Sequence, residues 1–231
     1  MGGAAFRLSC FYAAFFVFSG IHLPFWPIWL AAKGLSPVEI AAILAAGIGI
    51  KILANPIVAQ LADRSGARHA LMLRLMMGAT VAFTAFFVAD GFWPLFLANL
   101  LFLALLTPVM PLGESLTVLA ARESGFDYGR VRLWGSIAFI AAAFGAGAFL
   151  AGRSGETIVW LLAPPLLLTL LSVARVPDVR APAVAPGRIA AFELLRDRTF
   201  LLVVLACTLV QSSHAAYYAF GTLHWRAAGH S

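Results

Sequence analysis

The chain has 231 residues and a mass of 24.6 kDa, with 62% hydrophobic residues, 11% charged residues and a mean hydropathy of +0.92. A soluble domain carries roughly 25% charged residues, so too few polar side chains exist here to cover a water-facing surface, and a soluble enzyme is excluded. The net charge of +6 is modest, calls for no nucleic-acid partner, and matters more by its placement than by its size.

Roughly 20 apolar residues cross a bilayer, and runs of that length fall at about 8–30, 38–61, 69–89, 93–120, 130–151, 156–174 and 199–222. The first run has no small-residue cleavage site after it and reads as a retained span rather than a signal peptide. Ser36, Pro37 and Glu39 predict an N-cap, a first-turn proline and a capping-box acid at the start of the second run. Pro24, Pro27, Pro108, Pro111, Pro164 and Pro165 fall inside runs and are candidates for kinks. In the fifth run Gly135, Ser136, Gly145, Gly147 and Ala151 predict close helix approach. Cys10 and Cys207 both lie in apolar runs and suggest neither a disulfide framework nor a thiolate metal site.

Cytoplasmic loops retain Lys and Arg. With the N-terminus inside, Arg7, Arg64, Arg68, Arg122, Arg130, Arg175, Arg180, Arg188, Arg196 and Arg198 collect on the cytoplasmic side, against Lys33, Arg153 and Arg226 outside. Trp26, Trp29, Trp93, Trp160 and Trp225 fall near external span ends, where an aromatic belt is expected, and Trp134 near the cytoplasmic side. Residues 176–190 are rich in proline, with Pro177, Pro182 and Pro186, and Ile189 to Leu195 suggest a short surface helix. The expected organisation is an all-α membrane protein: a six-helix bundle over 1–175, a cytoplasmic linker over 176–197, and a seventh span over 198–231 that begins a second bundle.

A charge at mid-span costs about 2.5–3.5 kcal/mol on insertion scales, so each one is a functional candidate. These are His22, Lys51, Arg74, Glu114, Arg132 and His214, with Asn55, Asn99 and Gln211 as uncharged polar companions. Glu114 and Arg132 sit near the cytoplasmic ends of consecutive antiparallel spans and are placed to face each other. They read either as a snorkelling arginine beside a neutral acid or as a charge pair that exchanges its own contact for a polar or anionic substrate group. Lys51 lies midway along the second span, with Gly47 and Gly49 beside it and Asn55 one turn on. At that depth it needs a carboxylate, a substrate anion or water. His22, His214 and Gln211 offer a proton-carrying group or a simple hydrogen bond to a neighbour, and Arg74 is placed to snorkel.

The loop from Ala59 to Arg68 resembles the signature loop of the major facilitator superfamily, Gly-x-x-x-Asp-Arg-x-Gly-Arg-Arg: Asp63, Arg64, Gly66 and Arg68 match, while Ala59 and Ala67 depart. In that superfamily the loop's acid and bases form a cytoplasmic latch between helices. The stretch from Glu114 through "DYGRVRLWGS" (Asp127 to Ser136) is similar to the sugar-binding region of the proton-coupled lactose permease group, which implies substrate contacts at Glu114, Arg132 and Phe139. "GIHLPFWPIWL" (Gly20 to Leu30), "KGLSP" (Lys33 to Pro37) and "HAAYYAFGTLHWRAAGHS" (His214 to Ser231), together with "DYGRVRLWGS", resemble the phenylpropionate permease group, related also to nucleoside proton symporters.

The resemblance implies a twelve-helix, two-bundle, monomeric transporter of the cell inner membrane. It would work by alternating access, with the proton gradient as coupling and no cofactor or metal. The chain stops just beyond the seventh span, so the sequence reads as truncated. The expected function is proton-coupled symport of a small organic anion such as an arylpropionate. Lys51 and Arg132 would face its carboxylate, Phe139, Tyr217 and Tyr218 its ring, and Glu114 would carry the proton. A sugar or nucleoside symporter and a non-transporting fragment are the alternatives. A retinal protein is excluded, because the lysines, Lys33 and Lys51, fall outside the last span.

Overall fold

The structure is a computed structural model that describes residues 2–179 and 196–229; in the last helix the side chains at 214–220, 222–223 and 226–227 lie outside the described residues. The helices are α1 (Gly3–Ala32), α2 (Pro37–Ser65), α3 (Arg68–Phe83, extended by a 3-10 turn at Thr84–Phe87), α4 (Phe92–Leu106), α5 (Val109–Ser124), α6 (Tyr128–Leu150), α7 (Thr157–Val173) and α8 (Arg198–Ala227). Among the described residues there is no strand. Among the described residues five helical stretches are long and apolar enough to cross a membrane: α1, α2, α3 with its 3-10 turn, α4 with α5, and α6. Two shorter apolar segments, Thr157–Val173 and Arg198–Ser213, accompany them. All seven expected runs are therefore helical, while residues 180–195 of the linker, where the surface helix was expected, lie outside the described residues.

The helix ends follow local chemistry. At α2, the Ser36 N–H donates to Glu39 Oε2 at 2.8 Å and the Glu39 N–H to Ser36 Oγ at 3.4 Å, the reciprocal capping box the sequence predicts. Gly66, at φ +64°, closes α2 in the left-handed conformation that favours glycine. Of the prolines, Pro108 marks the interruption: it has no N–H to give, and the fourth span divides there into α4 and α5. Pro24, Pro27, Pro164 and Pro165 instead lie inside continuous helices, and Pro111 falls in the first turn of α5.

Helix α1 is the centre of the bundle, packed against α6 and α7, while α3 joins α4, α5 and α7, and α2 lies on α4. Lipid tails are as apolar as leucine, so these contacts rest on shape and close packing rather than on escape from water. At Gly20 of α1 an added Cβ would sit 2.6 Å from the Phe139 carbonyl oxygen, so backbone meets backbone there. In α6 the small-residue expectation holds at Gly135, whose Cβ would fall 2.9 Å from the Phe16 ring. It does not hold at Gly145, which faces open space.

The core between α1, α3 and α4 is aromatic. Phe18, Trp26, Trp29, Phe83, Phe86 and Phe102 are nearly or fully enclosed, with Trp26 and Trp29 stacked at 4.5 Å and Phe86 edge-on to both. Trp26 and Trp29 are therefore core residues and depart from the expected belt, because α1 is surrounded at their depth. Trp93, Trp160, Trp225 and Trp134 do lie at the surface.

Candidate functional site

The loop between α5 and α6 is short and well capped. Gly125 ends α5 at φ +69°, and Asp127 Oδ1 accepts the Arg130 N–H at 2.8 Å to begin α6. This turn sets Glu114 about 15 Å up α5 and Arg132 about 6 Å up α6 from the helix ends that it joins, at 1.5 Å per residue. The guanidinium reaches inward across that offset: Arg132 Nε lies 3.6 Å from Glu114 Oε1, an ion pair rather than a close hydrogen bond. It also lies over the rings of Phe16 at 4.2 Å and Tyr12 at 5.2 Å. Arg132 is thus turned toward α1. Both side chains keep part of their surface open, 28% for Arg132 and 43% for Glu114.

The aromatic floor is itself fixed. Tyr12 Oη–H donates to Thr117 Oγ1 at 3.2 Å, and Thr117 donates to the Gly113 carbonyl at 2.7 Å, which ties α1 to α5 one turn from Glu114. Phe139 reaches the cluster through Phe16, edge-on at 6.3 Å. The sequence reading missed Tyr12 and Phe16. Their one signal was a four-residue spacing in a phenylalanine-rich helix, which nothing distinguishes from core.

A second set of polar groups follows the seam between α2 and α4. Trp26 Nε1–H donates to Asn99 Oδ1 at 3.1 Å, Asn99 Nδ2–H to the Ile43 carbonyl at 3.4 Å, and Thr107 Oγ1–H to Asn55 Oδ1 at 3.1 Å. Lys51 is exposed and has no ion pair with a described residue, and Arg74 is exposed on α3. His22 is stacked between Phe18 at 5.3 Å and Trp26 at 4.9 Å, with Nε2 enclosed and without a hydrogen-bond partner among the described residues. The Asn55, Lys51 and His22 positions therefore belong to a different group from Glu114, Arg132 and Phe139.

At the C-terminal end of α2, Arg68 Nη2–H donates to Asp63 Oδ1 at 2.6 Å, Arg68 is nearly enclosed, and its Nη1 has no partner among the described residues. Arg64 is exposed beside Gly66, and His69 Nε2 lies 3.0 Å from the Val173 carbonyl, joining α3 to the end of α7. On α8, Gln211 is exposed, while the side chains of His214, Tyr217 and Tyr218 lie outside the described residues.

Residues 5–231 match the MFS_1 like family. The chain belongs to this family of the major facilitator superfamily. It is 32% identical to the "Probable 3-phenylpropionic acid transporter" of Escherichia coli K12, over 97% of this chain and 60% of that protein. It is 29% identical to the "Maltose permease" of Geobacillus stearothermophilus over 90% of this chain and 54% of that protein. With the "Lactose permease" of Citrobacter freundii the identity is 28%, over 74% and 43%. The chain spans about half the length of the curated relatives it matches. Membership and the apolar helices make it a multi-pass membrane protein, and the family consists of transporters, not enzymes.

Proposed function

We propose that the chain serves proton-coupled symport of a small organic anion of the arylpropionate class by alternating access. The observation that carries this reading is the Glu114–Arg132 pair at 3.6 Å, held over Tyr12 and Phe16 and partly open at its edge. An ionised acid beside an arginine can be uncoupled by protonation, which frees the guanidinium; an aromatic floor favours a ring. The similarity to the 3-phenylpropionic acid transporter supports the substrate class. Lys51 and Arg132 supply the positive charge such an anion requires, Phe139, Tyr217 and Tyr218 apolar contact, and Glu114 the exchangeable proton.

In this reading residues 1–175 form the first bundle, 176–197 the cytoplasmic linker and 198–231 the start of the second bundle. Asp63, Arg64, Gly66 and Arg68 latch helices on the cytoplasmic face. The protein works as a monomer in the cell inner membrane with its N-terminus inside. Proteoliposomes are expected to accumulate labelled 3-phenylpropionate when an inward proton gradient is imposed and to stop when it is collapsed. Uptake that ignores the gradient, or no uptake, overturns the reading.

The same Glu114–Arg132 geometry suits sugar hydroxyls, and the similarity to the maltose and lactose permeases favours a disaccharide as the second reading. Competition of bound 3-phenylpropionate by maltose, lactose or a nucleoside separates the two.

A further inference from the structure

Ile43, Gly47, Lys51 and Asn55 are spaced four apart on α2 and share one helix face. Three of the four are matched by α4 or by the turn that follows it. Ile43 offers its carbonyl to Asn99, a Cβ at Gly47 would meet Leu103 at 2.7 Å and Asn99 Nδ2 at 3.3 Å, and Asn55 accepts from Thr107. The hydroxyls of Ser9, Ser19, Thr80, Thr117, Thr169 and Thr208 each donate to the carbonyl four residues back; that of Thr107 crosses to another helix. The seam is thus a built polar ladder. Its one charged rung, Lys51, has no ion pair among the described residues.

His22 stands one turn before Trp26 on α1 as Lys51 stands one turn after Gly47 on α2, and Trp26 and Gly47 both meet Asn99, so the antiparallel helices bring His22 and Lys51 to one level of the seam. The ring of His22 is held between Phe18 and Trp26, with interplanar angles of 21° and 26°, and its Nε2 has no partner among the described residues. A buried polar group without a hydrogen bond and a mid-span cation without a counter-ion are both costly. They occur together, and a single anion satisfies both. Arg132 differs, because it already has a carboxylate and two rings, so an anion arriving there must first displace Glu114.

We propose that, of the two cations the transport reading offers the anion, Lys51 and not Arg132 seats the substrate carboxylate, in the seam between α1, α2 and α4, with one oxygen on Lys51 Nζ and the other accepting from His22 Nε2–H, while Arg132 serves the proton step with Glu114. The proposal rests on the transport reading above and divides its labour. The seam chooses an anion, and the Glu114–Arg132 pair handles the proton.

The test is equilibrium binding of tritiated 3-phenylpropionate to the full chain in proteoliposomes, for wild type, Lys51→Gln, Lys51→Arg, His22→Phe and Arg132→Gln. Lys51→Gln is expected to weaken binding roughly ten- to a hundredfold, as loss of a charged hydrogen bond does. His22→Phe, which keeps the aromatic stack, weakens it about threefold to tenfold. Lys51→Arg keeps the charge and recovers most of the affinity, which separates a lost contact from a lost fold. Lys51→Gln binding like wild type, equal loss in Lys51→Arg, or a greater loss in Arg132→Gln than in Lys51→Gln overturns this seat and leaves the transport reading standing. A wild type that binds no aryl carboxylate overturns both.

Discussion

Helices α1 and α2 are nearly the same length, 30 and 29 residues, and both are apolar enough to span a membrane, yet they live in different surroundings. Buried residues run along α1 from Ala5 to Leu30, whereas α2 buries Ile40, Ile43, Gly47 and Ala62 and exposes Val38, Ile48, Ile52, Leu53, Ile57 and Leu61. Hydropathy reports that a helix leaves water. It does not report whether a neighbouring helix, lipid or another part of the protein covers it, because all three offer the same apolar surroundings. What separates the two helices is shape: α1 carries large rings and one glycine that fit facing helices, and α2 carries branched chains with few reciprocal contacts.

Substitutions matched between the two helices put this contrast to work. Trp26→Ala removes a fully enclosed ring and leaves Asn99 Oδ1 without its donor, and is expected to cost about 3–5 kcal/mol. Ile52→Ala on α2 should stay within ~0.5 kcal/mol. Unfolding midpoints in detergent compare them, and equal losses would mean that α2 is covered by unseen packing. Gly20→Val meets the Phe139 backbone and is expected to cost about 1–3 kcal/mol or more, while Gly49→Val, facing open space, changes stability little. The same melts read this pair.

A smaller effect belongs to the one strong local signal in α2. Ser36→Ala opens the capping box and should cost about 1 kcal/mol, seen as faster amide exchange confined to the first turn. Tyr12→Phe removes the hydrogen bond to Thr117 from α1 and is expected to cost about 0.5–1.5 kcal/mol. It should add nothing further when combined with Thr117→Val, a coupling that a double-mutant cycle measures; full additivity would show the two side chains to be independent.

Local chemistry was the legible part of the sequence. The Ser36–Glu39 capping box and the seven helical runs depend on neighbours a few residues away, which the chain itself supplies; the Asp127 cap and the left-handed Gly66 are equally local, though the sequence reading named those residues only within motifs. The Glu114–Arg132 pair was also legible, since a short turn between antiparallel spans leaves two charges few other directions. Its floor was not, because Tyr12 is more than a hundred residues from Thr117 and looks like any other core ring. Trp26 and Trp29 misled for the same reason. A tryptophan near a span end favours the headgroup layer unless other elements enclose it, and here Phe86 lies edge-on to both, itself backed edge-on by Phe102.

Composition by itself determined that hydrocarbon is the solvent of this protein, because 11% charge cannot cover a water-facing surface. Local sequence determined where the helices begin and end. Which polar side chains meet was decided by tertiary structure alone, since it depends on the rotation of each helix about its axis. That rotation is set by the fit of Gly20 against Phe139 and of Gly47 against Leu103. The same packing separates two polar groups that the sequence lists together: Glu114 with Arg132 over α1, and Asn55 and Asn99 in the seam between α2 and α4, on the helix face that carries Lys51.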